Sequence, residues 1–335
     1  MAPPAIIIAH MGDVPMFDEA TLDRLDRVGR VLDRTHLDDW SDPRADALLA
    51  EAEIIVGHWG TPLFDAGVLD RAPKLRLFAY AAGTVKWYAT DLLFDRGIII
   101  TSGAGANARP TAEYAFASIL LANKRAHVAF DTEHRRPAWT PPPTARPIGN
   151  WDKTIGLVSA SLVGRHVAKL LAPFEGLHVE IYDPYVSREE IESLGATKVD
   201  DLIELCRRAD ILSIHAPAVP ATENLIGVDQ LAALPDGATV INTARGWCLD
   251  MDALLAELES SRLFAIIDVT DTIEPLPDDH PLRHLPNAVI TPHLAGSQGT
   301  ELGRMSDWVC DEVERYVTGR PQRNRITRDM IDGIA

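Results

Sequence analysis

Short apolar runs alternate along the whole chain with longer stretches in which apolar residues recur every three or four positions. That alternation predicts parallel sheets built from βαβ units. In the first third the expected strands are 6–9, 54–57, 75–80 and 98–101, each followed by Gly, Pro or polar residues that end a strand. Asp42-Pro43 opens a helix whose Leu48, Leu49 and Ala52 fall on one face. A long helix is expected from Pro110 to about Val128, with the proline in its first turn and Ala115, Phe116, Ile119, Leu120 and Asn123 aligned. Residues 134–150 carry many prolines and no periodicity, so they read as a surface loop or arm, with Trp139 either an anchor for a second subunit or a cover for its own domain. Beyond the arm, 155–159, 179–182, 211–215, 239–242, 265–269 and 288–291 read as strands of a second doubly wound sheet. A final amphipathic helix runs from Thr300 to about Val317, and Gly319 and Pro321 stop it.

Composition narrows the function. With 335 residues the chain has room for two domains. Lys plus Arg number 32 against 49 Asp plus Glu, a net charge of −17 that repels phosphate backbones and anionic lipid, so neither nucleic acid nor membrane is an expected partner. Cys206, Cys248 and Cys310 are too few and too scattered for a disulfide framework. No window holds the roughly 18 apolar residues of a membrane span, and the apolar run at 5–9 is too short for a signal sequence. A cytoplasmic protein is the expectation. No metal is expected, since Pro281 interrupts the only candidate pair, His280 and His284 beside Asp278 and Asp279.

The chemistry begins where the strand ending at Val158 meets Ser159-Ala160-Ser161-Leu162-Val163-Gly164 and then a helical pattern. A dinucleotide fingerprint would read G-x-G-x-x-G here, for a tight turn, close approach of pyrophosphate and helix packing. Ser159 and Ser161 fill the first two places, and only Gly164 matches. About 20 residues on, a second strand ends in Asp183, where a carboxylate can accept bonds from a ribose and disfavours a 2′-phosphate, which points to NAD rather than NADP. The same aspartate, standing before Pro184, can instead cap the next element. A hydroxyl at Ser161 can donate to a bound phosphate.

Further motifs follow in order: His215-Ala216-Pro217, Asn242-Thr243-Ala244-Arg245-Gly246, Ile267-Asp268-Val269, Glu274-Pro275 and Thr291-Pro292-His293-Leu294-Ala295-Gly296. With these the sequence resembles the D-isomer-specific 2-hydroxyacid dehydrogenase family over nearly its whole length. The resemblance implies two doubly wound Rossmann-like α/β domains with an active-site cleft between them. A flavodoxin-like substrate domain would comprise 1–110 and 299–335, and an NAD-binding domain 111–298. It implies Arg245, Glu274 and His293 as the catalytic set, and backbone N–H groups of Ala82 and Gly83 holding a substrate carboxylate with Arg245. Cofactor contacts would come from Ser161, Leu162, Val163, Asp183, His215, Ala216, Pro217, Thr222, Thr243, Ala244, Asp268, His293 and Gly296, with Asp268 on the nicotinamide carboxamide.

The implied reaction is hydride transfer between NAD and a small 2-hydroxy or 2-oxo acid, of the glyoxylate, hydroxypyruvate or phosphoglycerate kind, by a homodimer. The chemistry suits the residues. Arg245 offers a two-point fork for a carboxylate, and His293 a proton donor near neutral pH that Glu274 can keep charged. Two departures stand out. Five residues rather than four separate Asp268 from Glu274, an insertion that can bulge the loop and misplace the glutamate, with Asp271 as the alternative participant. Leu162 also stands where the family often has Arg. The family includes transcriptional corepressors, so an NAD(H)-sensing interaction protein is the alternative. Formate dehydrogenase, a relative, usually has Gln in place of Glu274.

Overall fold

The computed structural model describes residues 2–127, 147–270 and 274–334. Trp139, most of the proline-rich arm and Asp271 therefore lie outside the described residues. The strands in chain order are β1 (Ala5–Ala9), β2 (Arg30–Val31), β3 (Ile54–Gly57), β4 (Leu77–Tyr80), β5 (Ile99–Ser102), β6 (Lys153–Val158), β7 (Leu177–Tyr182), β8 (Thr197–Lys198), β9 (Ile211–Ile214), β10 (Thr239–Asn242), β11 (Phe264–Ile267), β12 (Ala288–Ile290) and β13 (Arg325–Ile326). Helices used below are α5 (Ala104–Asn123), α6 (Leu162–Leu171) and α11 (Leu302–Val317), the numbering following all helices in the chain.

Two compact units result, Met1–Asn107 with Ser297–Ala335, and Ala108–Gly296. In the first unit the sheet runs β13-β5-β4-β3-β1-β2, parallel except for the antiparallel edge strand β13. Its order 2-1-3-4-5 is the flavodoxin-like one. In the second unit the sheet runs β12-β11-β10-β9-β6-β7-β8, parallel throughout, and reverses direction of growth between β6 and β9. Ligands of such sheets bind beyond the carboxyl ends of the strands at that reversal.

Burial on both faces explains why the strands read as unbroken apolar runs. In the second unit, side chains alternate between two cores. Leu212, Ile214, Val240 and Ile267 pack on one face, and Ile155, Leu157, Ile211, Ile241 and Ile266 on the other. The two-residue strands β2, β8 and β13 escape sequence reading because two positions carry no periodicity.

The long helix corrects the expected boundaries. It starts at Ala104, so Pro110 lies inside it rather than in its first turn. Tertiary contact fixes that start. A Cβ at Gly103 would meet the Ala81 carbonyl oxygen at 2.3 Å, and one at Gly105 would meet the Trp308 ring at 2.8 Å, so glycine lets the first turn press onto β4 and α11. This packing offsets the hydrogen bond that Pro110 cannot donate. The helix ends at Asn123, five residues short of Val128, and Arg125 then takes a left-handed φ of 54°.

All three cysteines are free and buried. Burial pushes their thiols up, Cys206 and Cys310 to about 12.

Just beyond β1 and β3, His10 and His58 stack with ring centroids 3.9 Å apart, and His36 stacks on the other side of His10 at the same distance. Burial, and then repulsion from a neighbouring imidazole, pushes His10 down to about 4 and His58 down to about 3. Both rings fold neutral, so below about pH 6.5 the unfolded chain binds more protons and stability falls as the pH drops from there towards 4. The urea midpoint should decline over that window, and His58→Gln, which cannot titrate, should flatten the decline. A midpoint that holds constant from pH 7 to 4.5 would contradict this account.

Candidate active site

The turn between β6 and α6 is built by Gly164 and Asp183. A Cβ at Gly164 would stand 2.1 Å from the Ser159 carbonyl oxygen, so only glycine lets α6 approach the turn this closely. Ser159 adopts φ 82°, a left-handed conformation that favours glycine. Asp183, 5% exposed, holds it there: one carboxylate oxygen accepts from the Ser159 hydroxyl (3.1 Å) and the Ala160 N–H (2.8 Å). The other oxygen accepts from the N–H groups of Tyr185 (2.9 Å) and Val186 (3.2 Å). Asp183 thus takes the capping role, with its acceptor positions filled by the protein. Ser161 is the N-cap of α6, its hydroxyl oxygen accepting from the Gly164 N–H at 3.3 Å, which leaves the hydroxyl proton free to be donated. Leu162, exposed, and Val163, partly buried, open the helix, and their N–H groups have no acceptor within it.

At the end of β9, His215 is buried and burial pushes it down to about 3, so the ring is neutral. Neither ring nitrogen has a hydrogen-bond partner. Ala216 and Pro217 follow, their carbonyls accepting from the Cys248 thiol, while the Thr222 hydroxyl bonds back to the Pro217 carbonyl at 2.5 Å. At the end of β10 the buried Thr243 hydroxyl likewise lacks a partner. Asn242 folds the next residues: its side chain accepts from the Ala244 N–H (3.0 Å) and donates to the Arg245 carbonyl (2.9 Å). The Arg245 guanidinium, half-buried, bonds to the Ala244 carbonyl at 2.6 Å and forms no ion pair among the described residues. Burial holds it below the ordinary arginine value, with the charge of Glu274 acting the other way.

Asp268, 2% exposed at the end of β11, organises the loop after β12. Its carboxylate accepts from the Thr291 hydroxyl (2.6 Å) and the N–H groups of Leu294 (2.8 Å) and Ala295 (2.9 Å), and its carbonyl accepts from the His293 N–H (3.0 Å). His293 is thereby held at φ 53°. Its Nδ1 lies 2.8 Å from Glu274 Oε2, and Glu274 Oε1 accepts from the Thr270 N–H at 2.9 Å. The additional residue in this segment does not displace the glutamate. Both side chains remain exposed, so an ion pair here adds little stability but fixes the ring and its free nitrogen. Gly296 closes the second unit.

Ala82 and Gly83 belong to the first unit, directly after β4, where the Gly83 carbonyl accepts from the Ser102 hydroxyl at 2.8 Å. Sequence reading missed Ser159 as a partner of Asp183, and Tyr114, whose hydroxyl lies 3.1 Å from that of Thr291. Neither pairing leaves a local signal, because the partners are 24 and 177 positions apart.

Residues 117–295 match the family model described as D-isomer specific 2-hydroxyacid dehydrogenase, NAD binding domain. Among curated relatives, a D-3-phosphoglycerate dehydrogenase of Mycobacterium tuberculosis is 34% identical over 278 residues, covering 83% of this chain and 50% of its own length. This chain spans about half the length of such relatives. A glyoxylate reductase of Korarchaeum cryptofilum is 29% identical over 315 residues, 91% of this chain and 93% of its own. Among solved structures, D-lactate dehydrogenase with NAD+ from Lactobacillus jensenii superposes with a TM-score of 0.80 at 22% identity, covering 97% and 100% of the two chains, a likeness of fold.

Two substitutions test the turn. Gly164→Ala should cost about 3 kcal/mol, since its Cβ collides with backbone that cannot swing aside. Ser159→Ala keeps the left-handed strain and loses the bond to Asp183, about 1–2 kcal/mol, whereas Ser159→Gly relieves the strain and should stay within about 0.5 kcal/mol of wild type. Chemical unfolding of the three variants checks the order, and an alanine at 159 more stable than glycine would refute the strain argument.

Proposed function

This chain belongs to the D-isomer-specific 2-hydroxyacid dehydrogenase family, and on that premise we propose that it is an NAD-dependent oxidoreductase interconverting a small D-2-hydroxy acid and its 2-oxo acid. The observation that carries the reading is the 2.8 Å contact between His293 Nδ1 and Glu274 Oε2, in the same unit as a half-buried Arg245 that forms no ion pair among the described residues. The oriented imidazole weighs against a protein that only senses NAD(H), and turnover of an oxo acid decides between the two readings. A 2-oxo acid of the glyoxylate or hydroxypyruvate kind is the proposed substrate, because two relatives of matching length are named glyoxylate reductase.

The cofactor fits the residues present. Ser161 and the free N–H groups of Leu162 and Val163 would hold the pyrophosphate at the start of α6. The orphaned nitrogens of buried His215 and the orphaned hydroxyl of Thr243 would find partners along the same path, with Thr222, Ala216, Pro217, Ala244, Asp268 and Gly296 beside it. The chemistry NAD supplies when bound is hydride transfer. Arg245, whose charge burial leaves poorly compensated, binds the substrate carboxylate through its planar fork. His293, steadied at Nδ1 by Glu274, gives the proton on Nε2 to the carbonyl oxygen in reduction and takes it back from the hydroxyl in oxidation. Asp268 acts on the reaction through the loop that sets His293.

NAD is proposed over NADP. A 2′-phosphate would meet the charge of Asp183, and the arginines nearest in sequence, Arg165 and Arg188, are committed to Glu190 and Asp200 at 2.6 Å each. A cytoplasmic homodimer completes the reading. The free buried cysteines support the compartment, the charge of −17 weighs against nucleic acid as a partner, and no described helix is long and apolar enough to cross a membrane.

NADH oxidation measured against glyoxylate, hydroxypyruvate, pyruvate and a phosphorylated oxo acid tests the whole. Turnover of at least one is expected, and none would sink the proposal. His293→Ala should lower kcat about 10²–10⁴-fold while NADH still binds. Arg245→Lys should fail chiefly in KM for the acid, and wild-type kinetics in that variant would make the arginine structural. Wild type should use NADH in preference to NADPH, and equal initial rates would contradict the role given to the negative charge at β7.

A further inference from the structure

The amino ends of β10, β11 and β12 border a cavity of about 510 Å³, at the opposite edge of the second sheet from His293 and Arg245. Its lining includes Arg125, His127, Arg283 and His284, and no carboxylate among the described residues. Arg283 and His284 are exposed and burial pushes His127 towards its neutral form, so the buried charge at this cavity is that of Arg125.

Arg125 makes the case sharper. It is 8% exposed, its guanidinium lies 3.8 Å over the Phe264 ring, Nη1 donates to the Thr239 hydroxyl at 2.7 Å and Nη2 to the Gly237 carbonyl. Nε is buried with no acceptor. Among the described residues Arg125 forms no ion pair. Asp210, the carboxylate whose field reaches it, is tied to Lys153 at 3.0 Å. Burial accordingly pushes the guanidinium down to about 10. A buried cation without an anion is among the costliest arrangements in a protein, and an arriving oxyanion would remove that cost. Arg283 has no carboxylate partner among the described residues either: its Nε bonds to the carbonyl of Pro277 and its Nη2 to that of Leu276.

We propose that this cavity binds a small free oxyanion, a carboxylate or a phosphate, with Arg125 and Arg283 supplying the counter-charge. The site is separate from the catalytic residues and does not rest on the reaction assigned to them. Arg125 grips the first residue of β10 and covers the first residue of β11, strands whose far ends lead to Arg245 and Asp268, so the anion would brace both from behind.

Titration calorimetry on the full chain, with inorganic phosphate in one arm and citrate in the other and chloride holding ionic strength constant, tests this. Saturable binding in one arm is expected and names the anion class. Arg283→Gln should weaken it about tenfold or more, and so should Arg125→Gln where that variant folds. Arg245→Met should leave it unchanged. Binding that survives Arg283→Gln but vanishes in Arg245→Met would move the anion to the catalytic residues and overturn the proposal. So would the absence of saturable heat in both arms.

Discussion

The carboxylate of Asp268 is buried away from bulk solvent, so the loop after β12 must bring donors to it: one hydroxyl and two backbone N–H groups, from Thr291, Leu294 and Ala295. Few courses of the chain deliver three donors to two oxygens. The one adopted forces His293 into the left-handed region and fixes where its ring emerges, and Glu274 meets the ring there. The exposed histidine is therefore precise because an unexposed acid is demanding. A surface ion pair on its own would supply too little energy to position a proton donor.

The same logic, with a different compromise, governs the turn before α6. Gly164 is obligatory because the Ser159 carbonyl occupies the space of its missing side chain, whereas the first fingerprint position has accepted a serine despite its left-handed backbone. Asp183 offsets that strain through the serine hydroxyl and is thereby filled. Its influence on a nucleotide then acts through its charge and through the turn it shapes. Loop chemistry and cofactor preference are coupled in one side chain.

Much of this was legible in the sequence, for physical reasons that differ by element. Strands buried on both faces, such as β3 and β10, announce themselves as apolar runs, and Asn242, Arg245 and His293 stand in local patterns that dictate their own turns. The start of α5 was not legible, because glycines pressed against Ala81 and Trp308 decide it, and proline rules speak only of the local backbone. Counting residues between Asp268 and Glu274 left the placement of the glutamate open, because its contact with His293 is a tertiary distance that a count does not carry. Asp183 was read in two ways, and only the distance to Ser159 separates them.

The buried cysteines carry a consequence for how the molecule ages. Peroxide and electrophiles attack the thiolate, and all three sulfurs here are both enclosed and held in the protonated form. Cys248, bonded to the carbonyls of Ala216 and Pro217 a few residues from Arg245, is the one whose oxidation would reach the catalytic strands. Its enclosure closes that route while the chain stays folded, so oxidation of these thiols would follow unfolding rather than precede it.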